Sequence, residues 1–391
     1  MNDNRLTVAQ RAAVPPFHVM NVWAAAAQRQ RTHGDLVSLS AGQPSTGAPA
    51  PVRAAAVKAI ESEVLGYTVT TGLPELREAI AGHYSRAYGV PVDLEDVVVT
   101  TGSSGGFLLA FLAAFDVGDR VAMARPGYPC YRNILSALGC RVVELDCGPE
   151  TRFQPTVAML AEQHRAEPLR GVIVASPANP TGTVLAPGEL AAIARWCESE
   201  GVRLVSDEIY HGIGYPDTPA TSCAWQTSRE SIVVNSFSKY LSMTGWRLGW
   251  LLLPPELRAA ADRLTGNFTV CPPALSQYAA LAAFDPASLA EAQSHVARYA
   301  VNRSLLLDGL PRLGIDRLAP ADGAFYTYAD VSHLTHDSMA FCRTLLNATG
   351  VAVAPGIDFD PVRGNEFIRL SFAGATEDIR EALRRLESFL A

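Results

Sequence analysis

A chain of 391 residues is long enough for two or three domains, and 48% hydrophobic against 18% charged residues supplies a large core. A net charge of -7 with no basic cluster argues against a nucleic-acid partner, and the longest uninterrupted apolar run, Phe107 to Phe115, is too short to span a membrane. The cysteines (Cys130, Cys140, Cys147, Cys197, Cys223, Cys271 and Cys342) show no metal-type spacing, and the N-terminus has no apolar signal region, so reduced thiols in a cytoplasmic protein are expected.

In chain order, a helix-like run from Asn21 to Arg31 is preceded by VPPF, where two prolines stiffen the approach to Phe17. Asp35 to Ser40 reads as a short strand leading into AGQP. Gly42 there allows close backbone approach to a ligand, or serves as an ordinary turn. Helical spacing covers Pro51–Glu63 and, with proline at its first position, Pro74–Tyr88. The intervening loop, LGYTVTTGLP, carries an isolated Tyr67. Short β-rich runs then alternate with helical ones: Val97–Thr100, Arg120–Ala124, Arg141–Leu145, Gly171–Ala175, Val202–Ser206, Ser231–Asn235 and Leu248–Leu253. Several are apolar throughout, as strands covered on both faces are. Helices are predicted at Ser103–Phe115, Pro187–Glu200 and Pro255–Arg263. The pattern predicts an α/β fold around a mostly parallel, seven-stranded sheet. After Phe284 the rhythm becomes α+β: a long helix Pro286–Leu310, a run Ala324–Ala329, a helix Asp337–Thr349, two short strands and a final helix Glu377–Leu390. The expected division is a large domain over 49–285 and a smaller one built from 286–391 and the N-terminal segment 1–48.

Chemistry-bearing residues cluster at predicted strand ends. TTGSSGG (100–106) ends a strand and starts a helix, whose free N–H groups suit a phosphate; Ser103 and Ser104 add hydroxyls. Tyr128 follows a strand and a Pro-Gly, where it could stack on a planar ring or pack as a half-buried tyrosine. Asn179, in SPANPTG, is a turn residue or an amide donor. Asp207 ends the apolar run VRLVS. A carboxylate there needs a partner, and either a protonated ring nitrogen or a capping role satisfies it. In NSFSKYLSMTGWRLG (235–249), Ser236 and Ser238 flank Lys239, and Arg247 follows one short turn later. A lysine so placed can bond an aldehyde cofactor as a Schiff base while the hydroxyls and arginine hold its phosphate, although most lysines are simply solvated. Arg369, in FIRLSF, lies between apolar neighbours and needs a partner, either a ligand carboxylate or a structural acid.

These motifs occur together and collinearly. With GYTVTTGLPELREAI, ARPGYP, VSDEIYHG and DGAFY, they resemble the pyridoxal-phosphate (PLP) aminotransferases of class I/II, the fold-type-I, aspartate-aminotransferase-like group, over nearly the whole chain from Ser40. The resemblance implies that Lys239 holds PLP covalently and is the catalytic base. Arg247, Ser236, Ser238 and the amides of Ser103 and Ser104 would bind its phosphate. Asp207 would pair with the pyridine nitrogen, Asn179 and Tyr210 with the phenolic oxygen, and Tyr128 would stack on the ring. Arg369, Asn179 and the Gly42 backbone would grip the substrate α-carboxylate. Tyr67 would reach the phosphate of a partner subunit, implying a homodimer with shared sites, and a cis bond is expected before Pro180. The implied reaction is ping-pong transamination between an L-amino acid and a 2-oxo acid.

The stretches expected around the substrate (VPPF, SLSAG, TTGSSGG and NFTVCPP) are neutral or apolar, with Phe17 closing over the pocket. They favour alanine, valine or another aliphatic donor, with pyruvate or 2-oxoglutarate as acceptor. The alternatives are an aspartate/2-oxoglutarate aminotransferase, a PLP-dependent β-lyase or decarboxylase on the same fold, or, remotely, a PLP-sensing regulator.

Overall fold

The computed structural model describes residues 7–391; the first six residues of the predicted 1–48 segment lie outside the described residues. A short 3-10 turn, Gln10–Ala12, comes before the helix His18–His33, and a short strand β1 (Val37–Ser38) follows. The next strands are β2 (Val97–Thr100), β3 (Arg120–Arg125), β4 (Arg141–Asp146), β5 (Gly171–Ala175), β6 (Arg203–Asp207), β7 (Ile232–Ser236) and β8 (Gly249–Leu252). They form one seven-stranded sheet in the order β2-β8-β7-β6-β5-β3-β4. Strands β3 to β7 run parallel, and β8 runs antiparallel to both β7 and β2.

Alternation along each strand divides the interior into two cores. Val97, Val99, Val172, Val174, Leu204, Val233 and Leu252 face one side. Val98, Val121, Ile173, Val205, Ile232, Val234 and Leu251 face the other, packed against the helices Gly102–Ala114 and Pro255–Phe268. Both faces are apolar because helices cover both, which is why these strands read as unbroken hydrophobic runs.

The remaining strands are β9 (Tyr326–Asp330), β10 (Val351–Ala352), β11 (Ala354–Pro355) and β12 (Phe367–Ser371). A small antiparallel sheet has the order β11-β12-β9, with Arg369 opposite Ala354 and Tyr328; β10 pairs with β1. Helices Pro286–Arg312 and Thr376–Leu390 pack against this region around Leu306, Leu310, Ile368, Leu370, Ile379 and Leu386.

The helices Pro129–Ala137, Val157–Ala166 and Ala274–Ala280 are not among those predicted; each is shorter than the window of roughly 11–18 residues over which helical periodicity is read. The N-terminal helix begins three residues earlier than its periodicity predicts. No helix among the described residues is long and apolar enough to cross a membrane.

Direction places the site. The parallel strands end at Arg125, Ala175, Asp207 and Ser236, so the loops carrying Tyr128, Asn179 and Lys239 leave the same edge of the sheet. Strand β2 also ends there, at Thr100, and antiparallel β8 starts there, just after Arg247. Ligands in open α/β sheets bind at this edge.

Candidate active site

A cleft of about 170 Å³ opens at that edge, between the large sheet and the small β11-β12-β9 sheet. Its lining includes Phe17, Gly42, Ser103, Ser104, Tyr128, Asn179, Asp207, Tyr210, Ser238, Lys239, Arg247 and Arg369. Twelve of the fourteen residues singled out in the sequence therefore meet in one place. The other two lie elsewhere. Ser236 sits one layer back, where its Oγ is 2.8 Å from Ser238 Oγ and accepts from the Ser238 N–H at 3.0 Å. Tyr67 is 87% exposed and does not line the cleft.

One end of the cleft is an anion cradle. The helix Gly102–Ala114 points its N-terminus at the cavity, offering free N–H groups at Ser103 and Ser104. The Arg247 guanidinium lies directly over Gly102: a Cβ there would stand 2.5 Å from Arg247 Nη2. Gly102 also has φ +69°, so glycine is required twice over. Arg247 Nη1 is tied to the Thr244 carbonyl at 3.0 Å, leaving its other nitrogens for a ligand.

The floor carries Asp207. Burial lifts its carboxyl to about 6, while hydrogen bonds from the Tyr131 hydroxyl and the Ile209 N–H, and the Lys239 charge, pull the other way. No helix starts directly after Asp207, so the alternative capping role is not met; Ile209 N–H donates to its Oδ1 at 3.1 Å in a local turn. Its neighbour Glu208 faces away, accepting from Ala224 N–H and Ser206 Oγ.

Lys239 Nζ reaches across to donate to the Gly42 carbonyl at 2.6 Å. Burial, Arg369 and Arg247 bring its ammonium down to about 8, against the opposing pull of Asp207. An amine so poised becomes a neutral nucleophile or base near physiological pH.

Arg369 is 2% exposed, and its charge is met only by neutral acceptors: Asn179 Oδ1 at 2.8 Å and the Ser40 carbonyl at 3.0 Å. Its Nε has no partner. The guanidinium is sandwiched between the rings of Tyr326, 4.4 Å away, and Phe359, 4.7 Å away. No carboxylate hydrogen-bonds it among the described residues, and Asp358 acts on it only at longer range, so its fork could take a ligand carboxylate. The Asn179–Pro180 bond is cis, as expected.

Tyr131, Tyr326, Gln43 and Thr244 also line the cleft and were not singled out from sequence. Tyr131 carried a signal, lying three residues after Tyr128 at the start of a helix. Tyr326 hydrogen-bonds Tyr210, hydroxyl to hydroxyl, at 2.8 Å. The outer wall comes from the N-terminal helix: Val19, Met20 and Trp23 join Phe17, whose ring meets Tyr128 edge-on at 6.4 Å.

The cradle, acid and amine fit PLP in charge at each end: a helix N-terminus and arginine for a phosphate, a buried carboxylate for a protonated ring nitrogen, a lysine for an aldehyde. Known proteins supply the class. A model of the aminotransferase class I and II family matches residues 34–386, and the chain belongs to that family. It is a PLP-dependent aminotransferase. The chain is 70% identical over 383 residues, 98% of both chains, to the valine--pyruvate aminotransferase of Mycobacterium tuberculosis. It is 34% identical, over 97% of both chains, to the aspartate/prephenate aminotransferase of Thermus thermophilus. A crystal structure of an aminotransferase from Mycobacterium tuberculosis superposes with a TM-score of 0.97 at 69% identity, covering 99% of both chains.

Proposed function

We propose that this aminotransferase takes a small neutral aliphatic L-amino acid, valine foremost, as donor, and a small 2-oxo acid such as pyruvate as acceptor. The observation that carries this reading is the lining of the cleft. Its cations among the described residues are Lys239, Arg247 and Arg369, and the side facing the N-terminal helix is Phe17, Val19, Met20 and Trp23. The three cations are matched to an aldehyde, a phosphate and an α-carboxylate, which leaves none from this chain for a second substrate carboxylate. The valine--pyruvate relative, at 70% identity, supports the same choice.

Bound PLP supplies an electron sink beside the substrate α-carbon. The chain's residues do the rest. Arg247, Ser238 and the N–H groups of Ser103 and Ser104 hold the phosphate, with Ser236 fixing Ser238. Asp207 keeps a proton on the ring nitrogen, Tyr210 and Asn179 engage the phenolic oxygen, and Tyr128 covers the ring face. Arg369 and Asn179 orient the carboxylate, with Gly42 close by, and Phe17 screens the side chain from water. Lys239 Nζ, whose pKa the site lowers, would take the α-proton and return it to the carbon on the far side of the nitrogen, two atoms away.

The working unit is a homodimer in the cytoplasm, with Tyr67 completing the partner's phosphate site. Each chain divides into a large domain (49–285) and a small one (286–391 with the N-terminal segment to residue 48). The first half-reaction, followed by absorbance with valine, alanine and aspartate in turn, tests the substrate choice. Valine should exceed aspartate in kcat/KM by at least about tenfold; the opposite order would sink the proposal.

A further inference from the structure

The helix His18–His33 lends Phe17, Val19, Met20 and Trp23 to the cleft, but its N-cap is Phe17, whose side chain accepts no hydrogen bond. The first N–H groups are satisfied from the far end of the chain. Asp358 Oδ1 accepts from His18 N–H at 2.8 Å, and Oδ2 accepts from Val19 N–H at 2.6 Å. Asp358 is 3% exposed and ends the turn Gly356–Asp358 that continues β11.

That turn also touches the other walls of the site. Strand β11 pairs Ala354 with Arg369. The next residue after the turn, Phe359, stacks its ring on the Arg369 guanidinium. Its carbonyl accepts at 3.0 Å from the N–H of Gly127, the residue before Tyr128. Arg132 donates to the Asp358 carbonyl at 3.2 Å. Two adjacent residues therefore join the arginine at the carboxylate end, the segment bearing Tyr128, and the helix bearing the apolar wall.

We propose that Asp358 is a positioning residue for substrate selection: its carboxylate sets the distance between the N-terminal helix and Arg369, and with it the side-chain size that the cleft favours. This rests on the neutral aliphatic substrate proposed above. An aspartate is needed because two N–H donors require two acceptor oxygens. Asparagine offers one, and turns an NH2 group against the second donor. The negative charge also matches the helix N-terminus. A wall held at fixed distance contacts the two extra methyl groups of valine but hardly reaches alanine, so loosening it costs valine more.

The test uses wild-type holoenzyme, Asp358→Asn and Asp358→Ala. The valine-to-alanine ratio of kcat/KM in the first half-reaction should fall on the order of tenfold in Asp358→Ala and by less in Asp358→Asn. Calorimetric affinities for the unreactive carboxylates 3-methylbutanoate and propanoate should change in the same order. Amide exchange around His18 and Val19 should speed up in step. If exchange accelerates in folded variants while both ratios stay at wild-type values, Asp358 is a helix cap and the proposal is overturned. Should Asp358→Ala not fold, Asp358→Asn decides alone. If the wild type itself prefers aspartate to valine, the substrate reading has failed; the carboxylate ratio then still decides Asp358, supporting the proposal if it falls and overturning it if it holds.

Discussion

The Tyr131 hydroxyl spends its proton on Asp207, inside an aromatic packing that includes Phe107 at 4.9 Å and Tyr128 at 5.4 Å between ring centres. Hydrogen bonds to a charged group are worth about 1.5–3 kcal/mol, and this one stabilises the ionised acid. Tyr131→Phe should push Asp207 further above about 6. The anion, the form that holds a protonated ring nitrogen, is present above the carboxyl pKa and lost as pH falls through it. The apoenzyme of the variant should therefore bind PLP about tenfold more weakly near neutral pH, and the loss on acidification should begin at higher pH than in wild type. Titration of the apoenzyme with PLP, from about pH 8 to about pH 5, measures both. An unchanged affinity and midpoint would remove Tyr131 from the site's electrostatics. The sequence exposed Asp207, Lys239 and Arg369 because a charge at the end of an apolar run has to be answered. It hid Tyr131 and Tyr326, because an aromatic residue beside a helix start or within a strand is equally well explained as core. Ser236 was legible as a hydroxyl beside Lys239, but its direction depends on the β7–β8 pairing, which local sequence does not carry.

At the scale of elements, the phosphate end depends on how closely Arg247 approaches the helix Gly102–Ala114. Gly102→Ala adds a Cβ 2.9 Å from Arg247 Cζ at a left-handed backbone position, so both the turn and the guanidinium are disturbed. Gly34 has nearly the same φ, +70°, with nothing within 4 Å of an added Cβ. Gly34→Ala should lose about 1–2 kcal/mol of stability and keep its PLP affinity. Gly102→Ala should lose at least as much stability and, in addition, bind PLP and free phosphate more weakly. Denaturation and binding curves for both variants separate backbone strain from damage to the cradle; equal PLP affinity in the two would show that Arg247 does not need this helix end. Most elements could be read ahead of time. Pro187–Glu200 has the predicted bounds, and several other helices and strands shift by only one or two residues at an end. Strand order was not legible: nothing local tells β8 to insert antiparallel between β2 and β7, since that choice is made by the packing of whole faces.

Over the whole molecule, the exposed apolar surface is unevenly spent. Ile60 near the end of helix Ala50–Ser62, Val64 and Tyr67 in the loop after it, and Phe268 and Val270 at or just past the end of helix Pro255–Phe268 are all exposed. In the proposed homodimer these side chains would lie in the seam between the two copies, since large apolar groups exposed together favour an interface. A two-fold dimer buries the same patch on both copies, and the proposal that Tyr67 completes the partner's phosphate site requires that patch to include it. Mixed dimers distinguish a shared site from a self-contained one. Lys239→Ala lacks the amine in its own site but keeps Tyr67; Tyr67→Ala keeps the amine but lacks the hydroxyl. If Tyr67 acts across the interface, a dimer with one copy of each variant holds one site with both defects and one with neither. Unfolding and refolding a one-to-one mixture should then restore about a quarter of wild-type sites, half the dimers being mixed and each carrying one native site. If Tyr67 serves its own chain, no mixed dimer contains a native site, and the refolded mixture stays at the average of the two parents.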